Sequence, residues 1–244
     1  MPQSRYLFVS DLHLDGSAPD AVAQFIGFLQ TDAMQSDGLY ILGDLFETWI
    51  GEDDDAARRT VCDALRTFTA SGKPCWVIRG NRDFLLDAGF ERRTGCTLLP
   101  DPTLLQLGTL RAVISHGDLL CVADHGYQQF RSLVRRTRFC ADFLRLPLST
   151  RRTLAKIARA GSREHTRQQR SEILDVSASA VAAAFRAGNC DLLIHGHTHR
   201  PGIHRQVMDG QPTTRIVLGD WYEQGSCLAL DSSGYELLSL PRQP

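Results

Sequence analysis

The sequence predicts a layered α/β fold in which short buried strands alternate with helices. Five runs rich in β-branched, aromatic and leucine residues each stop at a Gly, Asp or His, as fully buried strands do. Ligand sites in such sheets lie at the carboxyl ends of the strands, so we expect the polar residues after these runs to share one site. The predicted strands are residues 7–10, 39–42, 75–79, 111–115 and 191–194.

Three helices are predicted between the strands, at residues 21–30, 56–70 and 176–187. Gly72 and Gly188 follow the second and third of these segments and are the predicted helix stops. The tail differs, because its short β-prone runs follow one another around glycine and serine. We predict an antiparallel meander there, formed by residues 215–218, 226–230 and 236–240.

Length and composition favour one globular domain spanning residues 1–244. With 43% apolar residues, the chain can bury one substantial core. The apolar run at residues 6–9 is too short for a signal peptide, and no run is long enough to cross a bilayer. Seven scattered cysteines without a Cys-x-x-Cys pair are typical of reduced thiols in the cytoplasm.

Residues 125–175 interrupt the strand–helix alternation, and we predict a basic helical cap inserted there. Residues 125–170 contain eleven Arg and one Lys against one Asp and one Glu, a net charge of +10, so the remainder carries −11. Residues 150–160 and 162–174 are predicted as separate helices. The apolar side chains with helical spacing are Phe130, Leu133, Val134, Phe139, Phe143 and Leu144.

Residue types that bind metal ions follow the first two strands. Asp11 and His13 have i, i+2 spacing, so both side chains can face the same side. Asp44 follows Gly43, and its carboxylate can bridge two cations, which a neutral imidazole cannot do. The alternative role for Asp44 is a helix cap.

Asn81, Arg82, Asp83 and His116 follow the next two strands. Asn81 offers a neutral oxygen ligand, and the planar guanidinium of Arg82 suits phosphate. Asp83 would hold that guanidinium or begin the next turn. His116 is a further imidazole donor or, alternatively, a core histidine.

Three imidazoles within five residues follow the last predicted strand, at His195, His197 and His199. Spacing alone does not choose which two bind metal. Structural zinc is disfavoured because no cysteine pair accompanies them. Collected at strand ends, these oxygen and nitrogen donors predict a two-metal site for phosphate-ester chemistry.

The order Asp-x-His, Gly-Asp, Gly-Asn, a later His and Gly-His-x-His, spread over residues 11 to 199, resembles the calcineurin-like metallophosphoesterase superfamily. The resemblance implies a four-layer sandwich of two mixed β-sheets flanked by helices. His195 falls outside the ligand set that it implies. One metal would be held by Asp11, His13, Asp44 and His199, and the other by Asp44, Asn81, His116 and His197.

Longer motifs at residues 42–51, 80–83, 126–131 and 195–201 resemble the UDP-2,3-diacylglucosamine hydrolase family. This family implies two Mn²⁺ ions and hydrolysis of the substrate's pyrophosphate to UMP and 2,3-diacylglucosamine 1-phosphate. Metal-activated water would attack the uridine-side phosphorus. Arg82 stands where many superfamily members carry a histidine that acts on the leaving group. The implied catalytic residues are Asp44, Asn81, Arg82 and His116.

The same resemblance implies the substrate contacts. Ser162 matches a contact position, whereas Thr166 and Gln169 occupy positions that vary in the family. With i, i+4, i+7 spacing, these three share a helix face. The full implied set is Asn81, Arg82, Asp124, Ser162, Thr166, Gln169 and His197.

The apolar and basic cap would meet acyl chains and an anionic membrane surface. The alternative is a subdomain that packs on the core and carries arginines for solubility. We expect a monomer with no nucleic-acid partner, peripheral on the cytoplasmic face of a Gram-negative inner membrane.

Two other function classes are open. A nuclease or nucleotide phosphodiesterase of the same superfamily would grip nucleic acid with the basic insert. The aromatic residues of the insert lie deep in its apolar pattern, which disfavours base stacking. A non-enzymatic membrane-binding module with a relic metal site is disfavoured because all seven candidate ligands are intact.

Overall fold

The computed structural model describes residues 4–51, 56–107, 110–169 and 173–241, and the strands of this part of the chain form two mixed sheets. In chain order the strands are β1 (Tyr6–Val9), β2 (Gly38–Leu42), β3 (Cys75–Ile78), β4 (Thr97–Leu99), β5 (Thr103–Leu107), β6 (Leu110–Ser115), β7 (Leu192–His195), β8 (Gly202–Met208), β9 (Gln211–Val217), β10 (Gly225–Asp231) and β11 (Gly234–Leu240). The helices are α1 (Pro19–Gln30), α2 (Ala56–Ala70), α3 (Ala88–Thr94), α4 (His125–Val134), α5 (Thr137–Leu144), α6 (Leu148–Gln168) and α7 (Ala178–Gly188).

Parallel pairing runs through the centre of both sheets. The first sheet has the order β11-β10-β1-β2-β3-β4, with β1 to β4 parallel and β10 antiparallel to β1. The second has the order β5-β6-β7-β9-β8, with β6, β7 and β9 parallel and the two edge strands antiparallel. Parallel strands need crossover connections, which here place helices on the sheet faces.

The two sheets pack face to face through a shared apolar layer that includes Phe8 of β1 and Ile194 of β7. The outer face of the first sheet packs against helices, with Phe25 of α1 fully buried there. On the outer face of the second sheet, Leu193 packs with Phe185 of α7. This helix–sheet–sheet–helix order confirms the predicted α/β fold of two mixed sheets flanked by helices.

The C-terminal strands do not form the predicted meander. β9 lies in the second sheet, where Ile216 pairs in parallel with Ile194. β10 and β11 form an antiparallel hairpin in the first sheet, next to β1. Central strands are buried on both faces, so their similar apolar runs do not indicate which sheet each one joins.

Two helix boundaries also differ from the prediction. Gly188 remains inside α7, and the left-handed residue that ends the helix is Asn189, with φ 43°. A β-carbon at Gly188 would lie 2.4 Å from Cγ2 of Val113, so this glycine allows close packing of α7 on β6. Residues 148–168 form one continuous helix rather than two, because a single glycine such as Gly161 is tolerated inside a helix.

Helices α4, α5 and α6 follow β6 and occupy much of the segment predicted as a cap. Their attachment is partly polar. Nε of Arg131 and Nη2 of Arg135 lie 2.8 and 3.3 Å from the buried carboxylate of Asp118, just after β6. The hydroxyl of Tyr127 donates to the same carboxylate. These contacts fix α4 to the strand end that carries His116.

Candidate active site

The residues predicted as metal ligands lie together at the carboxyl ends of strands from both sheets. The site therefore forms where the two facing sheets end, and it joins segments that are far apart in the sequence. Asp11 and His13 follow β1, Asp44 follows β2, Asn81 follows β3, His116 follows β6, and His197 and His199 follow β7.

The backbone of this site is strained. Seven non-glycine residues in the described ranges have a positive φ, and five of them are predicted ligands. The left-handed conformation costs a residue with a β-carbon roughly 1–2 kcal/mol. Such strain persists where the surrounding structure imposes it, and it clusters at functional sites. The five residues, with φ between 51° and 69°, are Asp11, His13, Asp44, His197 and His199.

Gly80 allows the end of β3 to lie directly against Asp44. A β-carbon at Gly80 would lie 2.1 Å from Oδ1 and 2.2 Å from the backbone nitrogen of Asp44. The backbone N–H of Arg82 donates to Oδ1 of Asp44 at 2.8 Å. Of the two roles predicted for Asp83, the start of the next turn is confirmed, because the backbone N–H of Leu86 donates to its carbonyl oxygen at 3.0 Å. The other role, holding the Arg82 guanidinium, is wrong for Asp83. Its buried carboxylate instead accepts from the backbone of Gly80 at 2.7 Å and of Leu45 at 2.8 Å, because those N–H groups have no strand partner there.

His13 and His199 direct their Nε2 atoms at each other, 3.3 Å apart. The other nitrogen of each ring lies beside a carboxylate, with Nδ1 of His13 2.9 Å from Glu47 and Nδ1 of His199 3.1 Å from Asp220. A neutral imidazole that donates from Nδ1 has its lone pair on Nε2. Two lone pairs therefore face each other, and a cation or a proton between them is needed to stabilise this arrangement.

The same pattern recurs at His116. Its Nδ1 lies 2.9 Å from the carbonyl oxygen of Leu42, so the lone pair on Nε2 faces Oδ1 of Asn81, also 2.9 Å away. Oδ1 of Asn81 lies 2.9 Å from Nδ1 of His197 as well. Oδ1 of Asp44 is 3.7 Å from Nε2 of His116. The imidazole, amide and carboxylate atoms of these residues thus form a second group of donors, next to that of His13 and His199.

Asp11 belongs to both groups of donors. The ligand atoms of Asp11, His13 and His199 lie within 4.8 Å of one another, and so do those of Asp11, Asp44 and His116. Oδ1 of Asp11 is buried and has no hydrogen-bond partner. Although burial opposes protonation, the nearby carboxylates raise the pKa of His116 to about 9 and that of His199 to about 10. Both groups therefore attract positive charge, and their oxygen and imidazole donors fit divalent cations.

Three residues around these donors have no local signal that assigns them a role. Glu47 lies beside His13 and is also contacted by Arg159 of α6. Asp220 lies beside His199, and the ring of Tyr222 stacks on that of His13 with centroids 5.1 Å apart. The motif at residues 42–51 contains Glu47 but does not indicate its partner.

His195 belongs to neither group of donor atoms among the described residues. Its ring is buried, with Nδ1 2.9 Å from the carbonyl oxygen of Gly196 and Nε2 3.2 Å from Arg215. Burial lowers the pKa of His195 to about 4. The residue supports the turn that carries the two following histidines.

A cleft of about 300 Å³ lies between the donor groups and α6, and Arg82, Ser162 and His197 are among its lining residues. Asp124 also lines it, where its carboxylate caps α4 and lies 2.8 Å from Nε2 of His165. Gln169, the residue after α6, is not among the described residues that line this cleft. The side chain of Thr166 lies outside the described residues.

The family model for the calcineurin-like phosphoesterases matches residues 4–201. This chain belongs to that family. It is therefore a hydrolase of the phosphoesterase superfamily, in agreement with the donor groups described above. No helix in the described ranges is long and apolar enough to cross a membrane.

Within the family, the chain is similar to proteins named UDP-2,3-diacylglucosamine hydrolase. It is 47% identical to the one from Stenotrophomonas maltophilia (strain K279a), over 97% of this chain and 99% of that protein. Identity to the Aeromonas hydrophila protein is 48%, over 91% and 92% of the two chains. Identity to the Salmonella typhi protein is 44%, over 96% and 98%.

Proposed function

We propose that this protein hydrolyses the pyrophosphate bond of UDP-2,3-diacylglucosamine, giving UMP and 2,3-diacylglucosamine 1-phosphate for lipid A biosynthesis. The names of relatives that share 44% to 48% of their residues support this substrate. The structural observation that carries the proposal is the convergence of imidazole, amide and carboxylate donors beside a cleft bounded by Arg82 and α6.

We assign two divalent cations, as Mn²⁺, to this convergence. When bound, such ions act as Lewis acids toward phosphoryl oxygens and activate water at neutral pH. Asp11 is near both donor groups, so it contributes charge to both positions. The assigned ligands are Asp11, His13, Asp44 and His199 for one ion, and Asp44, Asn81, His116 and His197 for the other.

The chain's own residues bind and orient the pyrophosphate. Nε of Arg82 is buried without a hydrogen-bond partner and lies 3.9 Å from Oδ2 of Asp44. A guanidinium N–H in this position can donate to a phosphoryl oxygen as negative charge develops. Water attacks the uridine-side phosphorus, and the bond from that phosphorus to the bridging oxygen breaks. The leaving group is a phosphate, which needs less protonation than an alkoxide, so arginine is tolerated where other family members carry histidine.

The cap fits a lipid substrate at a membrane surface. Leu133 of α4 and Ile157 of α6 are exposed, Ile157 by 64%, on helices that also carry the arginine excess. Apolar side chains among arginines suit acyl chains and anionic headgroups. We propose that the protein acts as a monomer at the cytoplasmic face of the inner membrane. Ser162 and Asp124 would contact the glucosamine side of the substrate in the cleft.

Hydrolysis in H₂¹⁸O tests both the reaction and the position of attack. Metal-free protein is supplied with UDP-2,3-diacylglucosamine with and without Mn²⁺, and the products are identified by mass spectrometry. We expect Mn²⁺-dependent turnover with ¹⁸O in UMP. Label in the sugar phosphate would place the attack on the other phosphorus. Hydrolysis of single-stranded DNA without turnover of the UDP-sugar would instead favour a nuclease.

Asp44→Asn and His116→Ala should abolish turnover in folded protein. Asp209→Asn is a matched control, because Asp209 has a φ of 50° against 52° for Asp44 but is exposed and paired with Arg186. It should retain wild-type turnover. Substantial turnover in purified, metal-supplied Asp44→Asn protein would contradict the ligand assignment.

A further inference from the structure

A second cavity, of about 570 Å³, lies between His199, the segment 219–226 and strand β11. Its volume is in the range of small-molecule sites. His199 lines both this cavity and the cleft between the donor groups and α6, which we call the cleft under α6. We call the second cavity the His199 groove. Its other walls include Asp220, Tyr222, Glu223, Gln224, Leu238 and Ser239.

Tyr222 places an aromatic surface next to the donor groups. Its ring is stacked on that of His13, with centroids 5.1 Å apart and planes 8° apart, and it lies 5.7 Å from the ring of His199. The residue is nevertheless 54% exposed. An exposed tyrosine ring is a surface on which a base can stack, because every base has a π-face.

The other walls of the groove do not suit a phosphate. Asp220 and Glu223 bring carboxylates, which repel phosphate but accept hydrogen bonds from sugar hydroxyls and from an imide N–H. Gln224 and Ser239 add an amide and a hydroxyl, which can donate to carbonyl oxygens. Pro201, Leu237 and Leu238 add apolar surface. The combination fits a neutral planar base with a hydroxylated sugar.

We infer that the His199 groove binds the uridine of the nucleotide-sugar substrate, with uracil against Tyr222 and the ribose hydroxyls toward Glu223. This inference rests on the proposed function. The two ends of that substrate leave the scissile pyrophosphate in different directions. The cleft under α6 suits the acylated sugar, and the groove that shares His199 with that cleft is the neighbouring space for the nucleoside.

Separate binding of the two products tests the groove. The Kd of UMP and of a short-chain 2,3-diacylglucosamine 1-phosphate is measured by calorimetry on Mn²⁺-loaded wild type, Tyr222→Ala, Tyr222→Phe and Glu223→Gln. We expect Tyr222→Ala to weaken UMP binding roughly fivefold or more, the effect of losing one stacked base. Tyr222→Phe retains the ring and should bind UMP nearly as wild type does. Glu223→Gln should also weaken UMP binding.

Binding of the sugar phosphate controls for damage to the metal site. Both products carry a phosphate, so a displaced His13 would also weaken binding of the sugar phosphate, whereas loss of the groove should weaken binding of UMP alone. Unchanged UMP binding in Tyr222→Ala and Glu223→Gln, or an equal loss for both products, would overturn the inference. Photo-crosslinking with 5-iodo-UMP should label residues 219–226, and label confined to the cap would also overturn it. Absence of turnover by the wild type would instead refute the proposed function.

Discussion

Replacing Glu47 by glutamine tests whether a carboxylate next to His13 sets the affinity of the metal site. Oε2 of Glu47 lies 2.9 Å from Nδ1 of His13, and Arg159 contacts the same carboxylate from α6. The negative charge keeps the proton on Nδ1 and makes Nε2, which faces His199, a stronger electron-pair donor. Glutamine still accepts a hydrogen bond but removes the charge.

Loss of such a partner lowers metal affinity or activity about 10- to 100-fold, or about 1.4–2.7 kcal/mol. Glu47 is about one quarter exposed and glutamine retains an acceptor, so we expect the Kd for Mn²⁺ to rise about tenfold in Glu47→Gln. Glu47→Ala removes the acceptor as well, so the Kd for Mn²⁺ should rise by close to the upper value of about 100-fold. Competition with a fluorescent chelator measures both. Glu236→Gln, an exposed glutamate on β11, is the control for loss of one charge and should match the wild type.

Unchanged Mn²⁺ affinity in both Glu47→Gln and Glu47→Ala would refute this reasoning. The orientation of His13 would then depend on its stacking against Tyr222, and the contact between Glu47 and Arg159 would have no influence on the metal site.

Three other perturbations test the architecture of the site. Gly80→Ala should lower the free energy of unfolding by about 1–3 kcal/mol and abolish Mn²⁺ binding, because the β-carbon would meet Asp44. Gly27→Ala should raise the free energy of unfolding by about 0.5–1 kcal/mol, because a β-carbon at this position of α1 has no neighbouring atom within 4 Å. Urea titrations compare the two variants. Asp118→Asn should lower the free energy of unfolding by about 2–3 kcal/mol and speed hydrogen exchange in α4. This loss is smaller than the roughly 3–5 kcal/mol for a fully buried ion pair, because the two arginines are partly exposed. Unchanged hydrogen-exchange protection in α4 would contradict the anchoring role of Asp118. EDTA should lower the thermal midpoint and Mn²⁺ restore it, since ligands stabilise the state that binds them; a midpoint indifferent to both would contradict the metal assignment.

The strands that carry the site could be predicted because they are central and buried on both faces, which gives continuous apolar runs such as that of β2. β8 could not be predicted in the same way. It is an edge strand with mostly exposed residues, among them Arg205 and Gln206, so no apolar run marks it. The continuous α6 was missed because its mean composition is polar and a glycine divides it.

The site residues also divide into ligands that could be predicted and neighbouring residues that could not. Residue type and order after each strand identified the candidate ligands, because parallel strands bring their carboxyl ends together. The partners that fix those ligands could not be predicted. Glu47 lies 34 positions from His13 in the sequence, and only the pairing of β1 with β2 brings them together. The predicted contact between Asp83 and the Arg82 guanidinium does not form, because backbone N–H groups outside the strand ladder attract the Asp83 carboxylate.

By itself, the sequence determined the α/β class, the set of metal-binding side chains at strand ends and the resemblance to the phosphoesterases. Those features depend on local periodicity and on residue type, which a single chain displays directly. Only the tertiary structure decided which ring nitrogens face one another, which sheet β9 joins, and that Tyr222 forms the wall of a second cavity. These depend on contacts between distant segments, and local patterns do not specify which segments meet.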